Sequence, residues 1–323
     1  MRLPHHNLES VCFLFEHFSE LIKAMGDKCP PEEAIEIERL FNLGLPPVTS
    51  ENALATMLGY NPGFIWSLLN RTSRYYRQFD IPKGAGTRKI DAPKIALKAI
   101  QKWLSYHFQK KWIPNEHIFG FLPGKSHMDA ASKHLSSKWV YSIDIQNYFP
   151  SISTVRVRDA LENLGYSTEP SLKIIPTLCC LRGSLVQGSP ASPVLSNIVL
   201  KNLDEELANF AREKNWKFTR YADDIVFSGI DDINESDFIP IKLFVNQDGW
   251  MISDKKTYLA RHPNRLKVHG LLVHGDTIRL TKGYRNRIRA FRHLLNADKI
   301  KEQDLAVIRG HLNYSAQVDD FQL

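Results

Sequence analysis

The chain has 323 residues, 43% hydrophobic and 24% charged, an ordinary globular composition with length for about two domains. Forty-two Lys and Arg against 35 Asp and Glu leave a formal charge of +7 and a pI near 9.1, which favours a polyanionic partner. No apolar run reaches the roughly 18 residues of a membrane span, which argues against a membrane partner, and the expected location is the cytoplasm.

The opening stretch, "MRLPHHNLESVCFLFEHFSELIKAMG", carries Glu9, Glu16 and Glu20 within its apolar run and reads as an amphipathic helix, not a signal peptide. His5 and His6 have no metal-ligand spacing. Two Pro-Pro pairs then bracket a short helix in "KCPPEEAIEIERLFNLGLPPV", suggesting a loosely joined N-terminal piece ending near residue 48. Ser50 is placed to cap "ENALATMLG", and "PGFIWSLLNRT" follows as a second helix after a Gly-Tyr-Asn turn. "YYRQFDIPKGAGTRKIDAP" reads as strand, Gly-rich turn and strand, and "IALKAIQKWLSYHFQKKW" as a helix by its apolar spacing. The four cysteines, Cys12, Cys29, Cys179 and Cys180, lack C-x-x-C spacing and are expected to be reduced.

"WVYSIDIQNYF" is a strong strand ending in a turn. "SPVLSNIVLKNLDEELANFARE" reads as one long helix begun by Pro190 and Pro193. "KVHGLLVHGDTIRL" reads as a hairpin around His274, Gly275 and Asp276, and the pattern is helical from Lys282. There Tyr284, Ile288, Phe291 and Leu295 form an apolar stripe beside a basic one of Arg285, Arg289 and Arg292, which suits phosphate contact. Strands and helices mix without a βαβ rhythm, so the expected class is α+β.

Three acids interrupt apolar strand sequence. Asp223 and Asp224 follow "KFTRY" and precede "IVFSG", which suggests a hairpin with its turn at Ala222, Asp223 and Asp224. Asp144 breaks "VYSIDIQNYF" far upstream, so the three can meet only through strand pairing. A solvated acidic turn is the plain alternative. A converging cluster of carboxylates needs cations, and all-oxygen ligands favour Mg²⁺. Two such ions about 4 Å apart serve phosphoryl transfer.

"YADD" with its apolar flanks resembles the Y-x-D-D box of reverse transcriptases, "SIDIQNYFPSI" their first catalytic box, and "LVQGSPASPVLSNIVL" the Q-G-x-P-x-S-P box between them. "IPKGAGTRKIDAPKIALKAIQKWL" and "HIFGFLPGKSHMDAASKH" resemble fingers segments, "SDKKT" the lysine box, "KVHGLLVHGDTIRL" the primer-grip hairpin and "IRGHLNY" the start of the thumb tail. The resemblance runs over roughly residues 40 to 315 with the boxes in order. It implies an RNA-directed DNA polymerase of right-hand architecture, with fingers, an antiparallel palm and a short helical thumb. Asp144 and Asp223 would be the main ligands of two Mg²⁺ ions that act with dNTP substrates. Asp224 would be a weaker ligand, and the Ile145 carbonyl a further one. Lys256 would be the general acid toward pyrophosphate. Lys83, Arg88 and Lys89 would hold the triphosphate. Asn147, Tyr148, Phe149, Gln187 and Gly188 would line the nucleotide, with Phe149 excluding a 2′-OH.

The length and "FNLGLPPVTSENALATMLG" resemble the retron branch of that family. Its N-A-x-x-H element corresponds to Ala130–His134 and its V-T-G triplet to Val268, His269 and Gly270, with Ala130 and His269 departing from the pattern. His134, Val268, His269 and Gly270, with Arg285, Arg289 and Arg292, would contact RNA or primer. The resemblance implies a structured non-coding RNA as template and primer, a branched RNA–DNA product begun from a 2′-OH, and a separate effector protein in anti-phage defence. A group II intron-like or diversity-generating enzyme using a 3′-OH, or a non-catalytic RNA scaffold restraining an effector, are the other readings. The expected organisation is an N-terminal helical extension over 1–48, fingers over 49–140, and a palm with the primer grip over 141–280. Part of 155–186 would return to the fingers, and the thumb would occupy 281–323.

Overall fold

A computed structural model describes residues 8–84 and 86–321, so His5, His6 and Ala85 lie outside the described residues. In chain order the strands are β1 (Tyr76–Lys83), β2 (Gly86–Pro93), β3 (Trp139–Asp144), β4 (Cys180–Leu181), β5 (Ser184–Leu185), β6 (Lys217–Tyr221), β7 (Asp224–Gly229), β8 (Tyr258–Arg261), β9 (Lys267–Val268), β10 (Leu271–Leu272) and β11 (Arg279–Leu280). All pairings between these strands are antiparallel, and with the intervening helices they make the α+β class expected. Among the described residues no helix is long and apolar enough to cross a membrane. The chain divides into two compact units, Met1–Pro114 with Asn147–Lys201, and Asn115–Gln146 with Asn202–Leu323.

The first unit is mainly helical. The opening stretch is not one helix: residues 8 and 9 are helical, residues 10–17 are not, and a separate helix, Phe18–Met25, begins where the His17 side chain and Glu20 form a capping box. The Pro-bracketed segment folds as Pro31–Asn42 with Pro31 at the first turn. The expectation of a loose N-terminal piece is corrected. Leu45 and Val48 are fully buried, the Tyr166 hydroxyl donates to the Pro46 carbonyl, and Arg39 donates to the Gly165 carbonyl. Ser50 caps Glu51–Leu58 through the Ala53 N–H at 3.0 Å. Helix Ile95–Lys111 buries Gln101, whose amide donates to Tyr76 and to the Leu178 carbonyl and accepts from Ser189, satisfying a polar group in an apolar core.

The second unit is built on a four-stranded sheet in the order β6-β7-β3-β8. β3 is central, and all six of its residues are buried, as its continuous apolar run requires. The expected single hairpin at 267–280 is instead a three-stranded meander, β11-β10-β9. His269 and Gly270, both at positive φ (48° and 84°), close β9 onto β10 as a two-residue turn, a chemistry the apolar pattern does not announce. Ala131, Val140, Val226, Leu271 and Val318 pack in one core. The expected long helix is also two, Ser192–Val199 and Lys201–Glu213, interrupted at Leu200 (φ −83°, ψ 3°). The basic helix Lys282–Asn296 buries Ile288 and half-buries Tyr284, Phe291 and Leu295. The last helix, Glu302–Asp319, is tied in by Tyr314 on His127 and by His311 on Tyr284.

Candidate active site

β6 and β7 pair Tyr221 with Asp224, so the connecting turn is Ala222–Asp223, with Ala222 at φ 56°. β7 also pairs with β3, setting Asp144 opposite Asp224. The Asp223 carbonyl accepts from the Ile145 N–H at 3.0 Å, which ties the turn to the residue after Asp144. Asp144 and the consecutive pair Asp223 and Asp224, far apart in sequence, therefore come to one end of the sheet. Asp144 is 4% exposed. Burial pushes its carboxyl up to about 6; the hydrogen bond from Lys256 opposes this and the Asp223 and Asp224 charges reinforce it. Lys256 Nζ donates to Asp144 Oδ2 at 2.5 Å. Burial works against the Lys256 ammonium, but Asp144 and the two other carboxylates outweigh it, so its pKa is raised.

Residues that the sequence reading did not single out hold this turn. Arg220, 0% exposed, donates from Nε and Nη2 to the two Asp204 carboxylate oxygens, each at 2.6 Å, and from Nη1 to the Ala222 carbonyl at 3.1 Å. Segment 117–120 runs along β6, and its Gly120 lies so close that a Cβ there would stand 2.2 Å from the Ala222 nitrogen. The "FG" of "HIFGF" is the available sequence signal for that contact; the Arg220–Asp204 pair has none.

Of the residues expected at RNA or primer, two lie inside the protein. His134 is fully buried, with Nδ1 2.7 Å from Ser228 Oγ and Nε2 2.7 Å from Thr219 Oγ1, so it joins β6 to β7. Val268 is fully buried in the core. The His269 side chain is 6% exposed, with Nδ1 3.6 Å from Asp224 Oδ2 and its ring 5.2 Å from that of Tyr221. Its Nε2 has no hydrogen-bond partner among the described residues. Gly270 is exposed, as are Arg285, Arg289 and Arg292 on the outer side of their helix.

In the first unit, Lys83, Arg88 and Lys89 of the β1–β2 hairpin, Asn147 and Gln187 line a cavity of about 390 Å³, joined by Arg182, which the sequence reading passed over. The Gln187 carbonyl accepts from the Asp91 N–H at 2.8 Å. Gly188 (φ 122°) abuts β2 so that a Cβ would meet the Asp91 carbonyl oxygen at 2.7 Å. Its smallness is thus used against the protein's own backbone. Tyr148 is buried, and Phe149 is half-buried with its ring 5.3 Å from that of Tyr148.

Among the described residues no group of three or more His, Cys, Asp or Glu side chains forms a ready metal cage. Hard divalent cations that bind through one or two carboxylates plus substrate phosphates and water need none. The donor set of Asp144, Asp223 and Asp224 is all oxygen, and a cation there would offset the cost of keeping the Asp144 carboxylate charged where burial, with the Asp223 and Asp224 charges adding to it, pushes its pKa up.

A family model described as reverse transcriptase (RNA-dependent DNA polymerase) matches residues 81–273. Retron Mx65 reverse transcriptase of Myxococcus xanthus is 32% identical over 88% of this chain and 70% of its own length. Retron Ec86 reverse transcriptase of Escherichia coli is 26% identical over 89% of this chain and 90% of its own. Among solved structures, telomerase from Candida albicans with a fragment of telomeric RNA aligns at a TM-score of 0.47 and 12% identity, over 83% of this chain and 63% of that one.

Proposed function

Because the chain belongs to the reverse transcriptase family, and within it to the bacterial retron branch, it is an RNA-directed DNA polymerase; we propose that it copies part of its own structured non-coding RNA, from a 2′-OH in that RNA, into a branched RNA–DNA. A non-coding RNA template goes with the retron branch, and polymerisation in the family depends on a divalent metal. We assign that metal as Mg²⁺, two ions with the dNTP, held by Asp144, Asp223, Asp224 and the Ile145 carbonyl. When bound, the ions supply Lewis-acid stabilisation of the attacking and leaving oxygens.

The register that sets Asp144 opposite Asp224 carries this reading. Around it the chain's own groups divide the work. Lys256 balances the carboxylate charge in the resting site and is the proton donor to the departing pyrophosphate. Lys83, Arg88 and Lys89 grip the triphosphate, Gln187 and Asn147 border the nucleotide, and Phe149 crowds its C2′ so that ribonucleotides are rejected. The first unit supplies fingers and part of the palm; the second supplies the acid-bearing palm sheet, the primer grip and the thumb. Arg285, Arg289 and Arg292 meet RNA phosphates, which suits exposed guanidinium groups. The product works beside a separate effector protein in defence against phage.

The test is the nucleic acid that co-purifies with the protein. Treatment with a 2′,5′-debranching enzyme is expected to shift the mobility of the DNA after denaturation. An unchanged mobility, with DNA present, excludes 2′ priming and favours a 3′-OH primer.

A further inference from the structure

We propose that Arg182 is a further phosphate-binding residue of this enzyme, contacting the polyphosphate of the incoming nucleotide and setting its affinity. The proposal rests on the reading of the first unit's cavity as the nucleotide site. Arg182 and Gly183 are the two turn residues between β4 and β5, at φ 53° and 85°. A two-residue turn with both φ values positive favours Asn-Gly, and a long side chain at its first position is conformationally disfavoured. The turn alone therefore does not explain an arginine. What the position does is carry a guanidinium to the cavity that Lys83, Arg88 and Lys89 also line.

Four cations face this cavity, and one carboxylate, Asp91, lines it with them. Asp91 is already engaged: Gln78 donates to its Oδ1 at 2.8 Å, and its N–H holds the Gln187 carbonyl. Arg182 Nη1 stands 3.8 Å from the same oxygen, beyond hydrogen-bond distance, and its side chain is 64% exposed. Asp91 thus steers the guanidinium over the cavity without consuming its donors. A planar fork of donors held loosely beside three other cations is suited to a polyphosphate, which it can meet with two parallel bonds. An interaction of this kind is made in the bound nucleotide as well as in the transition state, so it acts on KM more than on kcat.

Arg182→Asn separates the two roles, because Asn accepts the left-handed backbone while removing the cation. In steady-state extension of a primed RNA, KM for dNTP is expected to rise roughly tenfold, the scale of one charge-assisted hydrogen bond, with a much smaller change in kcat. The inhibition constant of pyrophosphate should rise in parallel, the melting temperature should hold or increase, and Arg182→Lys should recover part of the loss. Unchanged KM and pyrophosphate inhibition in Arg182→Asn overturn the proposal. A companion variant, Lys83→Ala with Arg88→Ala, distinguishes the premise. If it raises KM and Arg182→Asn does not, the Arg182 assignment alone falls. If neither raises KM in an enzyme that still polymerises, the cavity is not the nucleotide site.

Discussion

Arg220 and Asp204 give a prediction in which stability and activity part company. The pair is bidentate at 2.6 Å on both arms, with side chains 0% and 2% exposed. Asp204→Ala leaves the guanidinium inside the protein without that carboxylate, and breaking a buried pair this way costs about 3–5 kcal/mol. Against a total of roughly 5–15 kcal/mol for a folded domain, the single variant should unfold at much lower urea. Replacing both partners with apolar residues, Asp204→Leu with Arg220→Met, removes both charges, and such swaps are often neutral or better. Most of the lost stability should return. Activity should not, because Arg220 also holds the Ala222 carbonyl of the acid turn at 3.1 Å. Urea titration followed by tryptophan fluorescence gives the stabilities, and extension of a primed RNA gives the rates. The reasoning fails if Asp204→Ala costs less than about 1 kcal/mol, or if the double variant polymerises at the wild-type rate.

Gly120→Ala drives a Cβ against the Ala222 nitrogen, where backbone must yield; an overpacking cost of about 1–3 kcal/mol should accompany a loss of about a hundredfold in extension rate, as a displacement near 1 Å at the acids implies. A wild-type rate would show that the turn tolerates the shift. His134 is pulled down to about 3, chiefly by burial, with His269 and Lys217 adding to it. Its folded pKa lies below the unfolded value, so its share of stability is present above pH 6.5 and is lost as pH falls below that value. Between pH 7 and 5.5 the loss is about 1 kcal/mol, and His134→Gln should be less pH-dependent than wild type by that amount; equal slopes would contradict it. For Phe149→Ala, single-nucleotide incorporation should show the rNTP-to-dNTP ratio rising roughly tenfold or more, and an unchanged ratio removes the steric role.

Much of the acid site was legible because Asp is out of place in strands of Ile, Val and Phe. Asp144, Asp223 and Asp224 each break such a run, and only strand pairing could join them, as the β3–β7 register does. The thumb stripe was legible for the same reason, since helical spacing separates Ile288 from Arg285 and Arg289. Burial of motif residues was not. His134 and Val268 lie inside a family pattern that marks their neighbourhood but not which way their side chains point. The supports of the turn, Gly120 and the Arg220–Asp204 pair, depend on packing between distant segments, which leaves no local periodicity. Arg182 had only a faint signal, an Arg-Gly between the short apolar runs of "CCLRGSLV". The N-terminal segment was overread as helix because its apolar spacing conceals the His17 cap.

The central claim is that Asp144 and Asp223 jointly serve metal-dependent copying of RNA into DNA. Primer extension on an RNA template with dNTPs and Mg²⁺ tests it directly, comparing the wild-type protein with Asp144→Asn and Asp223→Asn, each first shown by gel shift to bind the RNA. The account predicts DNA synthesis by the wild type and none above background by either variant; extension by a variant at a rate near that of the wild type would contradict it.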